Sequence, residues 1–213
     1  MNVKEVCRDT TKLNPLVDVM LELAIAYMIK QGVNPLVIET LRSQERQNYL
    51  YCQGRTIAEC MAKGINSTFA KAYCNPSASK VTWTLNSVHV TCKAVDVVPQ
   101  RLKNKLMLAI WDSNDAQTRI IIKAMMRYGF ESGANWSTSP DSPHFQVKGD
   151  FENVFDSEHN TIYVTKAIQK ALKIKDDGDW GNKTTDAVNA WRKSKKWKET
   201  GSIGAVALKA LLG

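Results

Sequence analysis

No run of apolar residues approaches the roughly 18 that a membrane-crossing helix needs. The best candidate, Leu16 to Ile29, is interrupted by Asp18 and Glu22 and reads as an ordinary amphipathic helix. Histidine is scarce, with three in 213 residues. The five cysteines (Cys7, Cys52, Cys60, Cys74 and Cys92) include no CxxC pair and no zinc-finger spacing. An odd cysteine count without a secretory leader predicts free thiols made in a reducing cytosol, with a bridge among Cys52, Cys60 and Cys74 as the alternative. The start, MNVKEVCRDTTKLNP, lacks the basic stretch, apolar core and small-residue cleavage site of a signal peptide. A chain that is 44% apolar and 23% charged is excluded from the disordered and collagen-like classes.

Negative charge is in short supply, at 21 acidic against 29 basic residues, a formal +8. Between Thr161 and Gly213, eleven basic residues face five acidic ones, so this tail carries +6 of that total. A basic module favours a polyanion: nucleic acid, anionic lipid or bacterial cell wall. The basic residues are not interleaved with aromatics in a recognisable motif, which speaks against nucleic acid.

Val17, Met20, Leu21, Ala24 and Met28 recur at three- and four-residue spacing and predict a helix over 15–30, started by Asn14-Pro15 and closed by Gly32. A short strand follows at 36–41, then a helical or irregular excursion over 57–80. The β-branched stretches Val81–Leu85 and Val88–Val98 predict strands. A helix is expected from Asp115 to Tyr128, burying Ile121, Ile122, Met125 and Met126 and stopped by Gly129. Residues 149–160 are polar and without a clear period, and they read as a linker. Beyond it an internal repeat appears: Gly178, Trp180, Gly181, Thr184 and Ala187 recur 23 residues later as Gly201, Ile203, Gly204, Ala207 and Ala210, and Ile168 pairs with Trp191.

The histidines mark the candidate chemistry. His89 lies in Ser87-Val-His89, seven residues before Asp96, and His144 closes Asp141-Ser-Pro-His144-Phe-Gln146. Seven residues of continuous strand would hold His89 and Asp96 about 23 Å apart on opposite faces. Joint ligation therefore requires the chain to fold back near Thr91 and Cys92. With His144 added, two imidazoles and a carboxylate make up a three-ligand catalytic zinc shell with one position left for water. Asp141, three residues before His144 in a proline-stiffened loop, is placed to move a proton. Spacing alone leaves other readings open, since Asp96 also suits the end of a strand and Asp141 an ordinary turn.

The ordered pattern Ser-x-His-x6-Asp and Asp-x-x-His-Phe-Gln resembles the zinc peptidases of the VanY D-alanyl-D-alanine carboxypeptidase family. The nearest branch is that of the L-alanyl-D-glutamate peptidases among phage endolysins and bacterial autolysins. The stretch from Thr40 through Arg42, Gln47 and Gly54 to Thr56 is similar to that branch too, so the likeness spans roughly 14–148. It implies an α+β domain over 1–150, a small antiparallel sheet with flanking helices. It further implies His89, Asp96 and His144 as ligands of Zn2+, Asp141 as the catalytic acid/base, and Arg42, Gln47 and Ser87 as substrate contacts. The family usually has glycine at the place of Cys92; if that bend needs a positive φ, cysteine strains it by about 1 kcal/mol.

Residues 161–213, after a linker at 151–160, resemble the small three-helix peptidoglycan-binding domain, on Ile168-Gln169, Asp177 to Gly181, Thr184 and Ala187-Val188. Trp180, Trp191 and Trp197 read as core or as sugar platforms, with Trp191 assigned to the core. The expected protein is a monomeric peptidoglycan hydrolase that cuts the L-alanyl-D-glutamate bond of the stem peptide, with no nucleic-acid partner and no membrane insertion. By the same likeness it is made in a host cytoplasm and acts on the wall after release. The competing expectations are a D-alanyl-D-alanine carboxypeptidase and a non-catalytic wall-binding protein.

Overall fold

The computed structural model describes residues 2–213. Asn14 and Pro15 begin α1 (Pro15–Lys30): the Asn14 side chain accepts from the Leu16 amide, and Pro15 sits where no intrahelical donor is needed. The predicted stripe of Val17, Met20, Leu21, Ala24 and Met28 is buried, and Gly32 leaves the helix at φ +75°. Next come β1 (Pro35–Glu39), α2 (Gln44–Cys52), α3 (Ile57–Ala62) and α4 (Ser67–Tyr73). They are followed by β2 (Ala94–Lys103), β3 (Leu106–Ala109), α5 (Ala116–Arg127), β4 (Glu131–Ser132) and β5 (His144–Gln146). The C-terminal quarter holds β6 (Val154–Phe155), α6 (Ile162–Ala171), α7 (Asn182–Ser194), β7 (Ile203–Gly204) and α8 (Ala205–Leu212). The architecture is α+β, as expected.

The main sheet is antiparallel in the order β1-β2-β5-β4, with β3 folded back on the far end of β2. Side chains alternate across a strand, and that alternation separates core from site. Val95, Val97 and Phe145 face inward against α1 and the Ile121 and Met125 side of α5. Asp96 faces the other way and pairs in register with His144. Asp115 caps α5 by accepting from the Gln117 and Thr118 amides. Along that helix Ile122 and Met126 are only half-buried, whereas Ile121 and Met125 are enclosed as expected.

Three expectations need correction. Residues 81–85 form no strand, because side chains from elsewhere take their carbonyls: Arg55 donates to Thr82, Gln47 to Thr84 and Gln44 to Leu85. The 88–98 segment is not one strand either. Val88–Thr91 is a 3-10 turn, and β2 starts only at Ala94. The 149–160 stretch is not a free spacer, since Phe151 and Phe155 are fully enclosed, with ring centroids 4.8 Å apart. β6 pairs with β7, and α8 packs on α1, where Lys209 reaches Glu22 at 2.7 Å. One main hydrophobic core thus runs from Leu13 to Leu208 and is shared by the sheet domain and the C-terminal helices.

The tail folds as three helices, and the repeat is visible in its backbone. Gly178 and Gly201 both take positive φ, at +84° and +67°. Trp180 and Ile203 are buried, and Gly181 and Gly204 occupy the N-caps of α7 and α8. Trp191 and Trp197 are half-buried and meet edge to face. All five cysteines are free thiols. Among the described residues no helix is long and apolar enough to cross a membrane.

Candidate active site and metal centre

The fold-back between His89 and Asp96 is made by the 3-10 turn and by Cys92, which adopts φ +60°, ψ +22°. The Ser87 side chain accepts from the His89 amide to start the turn, and the Cys92 amide returns to the His89 carbonyl to close it. His89 is thereby carried under the site face of β2. There His89 Nε2 lies 3.1 Å from Asp96 Oδ1, His144 Nδ1 lies 3.2 Å from the same oxygen, and the two nitrogens are 3.3 Å apart. All three expected ligands therefore meet at one point, and they could hold a metal ion. Bonds of about 2.0–2.1 Å at tetrahedral angles set donor atoms about 3.3 Å apart, which is the spacing found.

The protonation pattern shows what belongs at that point. His89 Nδ1 is 2.6 Å from the Thr40 carbonyl, which can only accept, so Nδ1 carries the proton and Nε2 presents a lone pair. Gln146 Nε2 donates to the Glu131 carboxylate at 2.9 Å, which leaves Gln146 Oε1 to accept from His144 Nε2 at 3.1 Å. His144 Nδ1 then also presents a lone pair. Three electron-rich atoms thus converge, and only a cation or added protons relieve their repulsion. Burial works against the Asp96 charge, yet where no cation is bound His144 and His89 take up the added protons, hydrogen-bond to Asp96 and hold its carboxyl far below the usual range. Burial likewise opposes charge on His144, but Asp96 outweighs it and raises the imidazole above its ordinary value. The donor set fits a divalent metal.

Asp141 stands at the same cleft, a hollow of about 320 Å³ lined also by Arg42, Ser87, Asp96, Trp136 and His144. Burial of its carboxyl and the neighbouring Asp96 charge push its pKa upward, although the residue keeps contact with solvent. Its position depends on Gly133. The Asp141 amide donates to the Gly133 carbonyl, and the Asp141 backbone passes so close to Gly133 that a Cβ there would overlap the Asp141 carbonyl oxygen.

Arg42 lines the cleft with Nη2 3.6 Å from Asp96 Oδ2, while Nε and Nη2 bind Glu39 and Nη1 donates to Gln47 at 2.8 Å. Glu39 also pairs with Arg46, so a nearly buried Arg–Glu–Arg set backs the metal site. Ser87 is on the cleft wall. Gln47 is not: it is fully buried, accepting from Arg42 and donating to Thr82 Oγ1 and the Thr84 carbonyl. Its expected place as a substrate contact is corrected to that of a positioning residue, since no polar atom remains free.

Thr40, Gln146, Glu131 and Trp136, none of them a candidate from the sequence, aim the two histidines; Trp136 Nε1 donates to the far oxygen of Glu131 at 2.9 Å. One signal was present: Gln146 lies two residues after His144 on a strand, hence on the same face.

Residues 80–147 match the M15 peptidase family model described as D-alanyl-D-alanine carboxypeptidase. Among solved structures, the chain is similar to the L-Ala D-Glu endopeptidase ChiX of Serratia marcescens, with 25% identity, 69% of this chain and 93% of that one covered, and a TM-score of 0.41. It is also similar to the LD-carboxypeptidase LdcB, with 16% identity, 63% and 58% covered, and a TM-score of 0.40. A third is the D,D-pentapeptidase VanY of a VanB-type vancomycin resistance cassette in complex with Zn(II), with 20% identity, 61% and 69% covered, and a TM-score of 0.36.

Proposed function

We propose that this protein is a zinc peptidase of the bacterial cell wall that hydrolyses the peptidoglycan stem peptide between L-alanine and D-glutamate. The observation that carries the reading is the convergence of three lone pairs from His89, Asp96 and His144 beside Asp141 in one open cleft. His89, Asp96 and His144 would hold a zinc ion there, and its Lewis acidity would lower the pKa of water to about 7 and polarise an amide carbonyl. Asp141, with its raised pKa, is suited to accept a proton from the attacking water and to return one to the departing amine. Arg42 keeps donors to spare after Glu39 and Gln47, enough for a bidentate grip on a peptide carboxylate, and Ser87 lines the same wall. The family match over 80–147 supports the peptidase class. The Thr40–Thr56 likeness supports the endopeptidase.

Residues 161–213, basic and built from a repeated glycine turn and helix, are assigned to anchoring on the wall, where tethering raises the local substrate concentration. Synthesis in a host cytoplasm followed by release onto the wall, as in phage lysis, completes the reading.

The test is digestion of purified sacculi with mass spectrometry of the fragments. New amino termini on D-glutamate are expected, together with turbidity clearing that stops with a chelator and returns with zinc. Release of free D-alanine would instead establish the carboxypeptidase named in the family description, and binding without any metal-dependent cleavage would leave a wall-binding protein.

A further inference from the structure

A second cluster lies away from the cleft. Cys52 ends α2, Cys60 lies within α3, and Cys74 caps the C-terminus of α4. Their three sulfurs all lie within 4.8 Å of one another. We propose that Cys52, Cys60 and Cys74 form a three-thiolate site for a thiophilic d10 cation, Zn2+ or Cu+, which ties α2, α3 and α4 together.

Geometry supports the cradle. Zinc–thiolate bonds of about 2.3 Å at tetrahedral angles place sulfurs about 3.8 Å apart, so closing the cluster on an ion moves no sulfur by more than about 1 Å. Cys52 and Cys60 are fully buried while Cys74 is half-buried, which leaves one side for an ion to enter. Each sulfur comes from a different helix, so a shared ion would cross-link all three. The Thr56 carbonyl oxygen, 3.7 Å from Cys74 Sγ, is a protein candidate for a fourth zinc ligand; Cu+ needs none.

Charge supports it as well. Three thiolates around Zn2+ carry one net negative charge, and the buried Arg55 guanidinium is near enough to favour the Cys60 thiolate. Binding releases three thiol protons to solvent and moves no electrons.

The surrounding structure has a use for such a tie. These helices are 9, 6 and 7 residues long, too short to persist alone. Their shared core, separate from the main one, is Tyr51, Cys52, Cys60, Ile65 and Ala70. A core of that size is what structural metals reinforce. The same module holds the cleft wall at 82–84 through Gln47 and Arg55, so an ion here would stiffen it without touching substrate. The inference is independent of the peptidase reading, because it rests on different residues and is read without activity.

The test uses the full-length protein, stripped of metal under reducing conditions and titrated with Co2+. A thiolate-to-cobalt charge-transfer band in the near ultraviolet is expected. Imidazole and carboxylate ligands do not give this band, so His89→Ala should retain it. Cys74→Ala, which leaves both buried cysteines in place, should lose it and should be isolated with about one metal equivalent less than the parent. Elemental analysis of the parent as isolated separates Zn2+ from Cu+. The proposal is overturned by a parent without the band or by equal metal content in Cys74→Ala. It is also overturned by an isolated protein two hydrogens lighter, with a disulfide joining two of the three.

Discussion

Around His89, Asp96 and His144 each imidazole is aimed by a hydrogen-bond partner of its own, whereas Cys52, Cys60 and Cys74 are aimed mainly by packing. Thr40 and Gln146 fix the two tautomers, and Glu131 and Trp136 fix Gln146 in turn. Among the described residues the sulfurs have, apart from one another, a single weak partner in the Thr56 carbonyl. The polar cluster also opens onto a cleft, while the thiol cluster sits in a small apolar core. The contrast teaches how to tell two purposes apart. Chemistry needs ligands held at fixed angles with one side free, and a cross-link needs only that separate elements converge.

The sharpest way to break the comparison is to separate holding a metal from using it. Asp141→Ala should lower hydrolysis of sacculi by about 10²- to 10⁴-fold while the bound metal per chain is unchanged. Near-parental turnover, or loss of the metal, would show that Asp141 is a ligand or a bystander rather than the proton carrier.

A smaller loss is expected from Gly133→Ala. The new methyl would collide with the Asp141 carbonyl and press on the His144 Cβ, so the loop must shift. A displacement of about 1 Å at a catalytic group costs on the order of 10²-fold in rate. Kinetics on sacculi with metal content measured alongside would check this; an unchanged rate would mean the loop adapts freely and that the cleft is less rigid than its hydrogen bonds suggest.

Gln146→Leu sharpens the contrast itself. It keeps the buried volume but removes the acceptor for His144 Nε2–H and the donor to Glu131. Loss of such a supporting partner weakens metal binding by about 10- to 100-fold. Competition titration against a chromophoric chelator should show that weakening at the histidine site. The Co2+ charge-transfer band should stay in place.

How much of this was legible in the sequence follows the same divide. Asn14-Pro15 and the spacing from Val17 to Met28 announced α1, because capping and periodicity are local. His89, Asp96, His144 and Asp141 were legible as an ordered pattern, and the fold-back near Cys92 followed only once His89 and Asp96 were taken to share one ion. Hidden were features that depend on distant partners. The run Val81–Leu85 is β-branched, yet its carbonyls are taken by Gln44, Gln47 and Arg55, so no ladder forms. The β2–β3 hairpin turns on Asn104 and Lys105, both at positive φ, and a lysine there gives no turn signal. Polar neighbours disguised Phe151 and Phe155 as part of a linker. The convergence of Cys52, Cys60 and Cys74 has no metal-site spacing signature, and the sequence offered these three only as alternatives for a disulfide that does not form.

The smallest effect belongs to the hinge of the site. Cys92 is held at φ +60°, where a side chain costs about 1–2 kcal/mol relative to the right-handed region. Cys92→Gly removes that strain, but it also removes a half-buried thiol and gives the unfolded chain more freedom, which costs about 0.4–1 kcal/mol. The two sides nearly cancel, so Cys92→Gly alone is a poor reporter. Cys92→Ala provides the reference, since it deletes the same sulfur while leaving the strained φ. Glycine should therefore melt above alanine by about 2–4 °C, corresponding to about 1 kcal/mol in a chain of this size. An alanine variant as stable as the glycine one would mean that the turn relaxes out of the left-handed region. His89 would then owe its place to the Thr40 carbonyl rather than to the bend that carries it there.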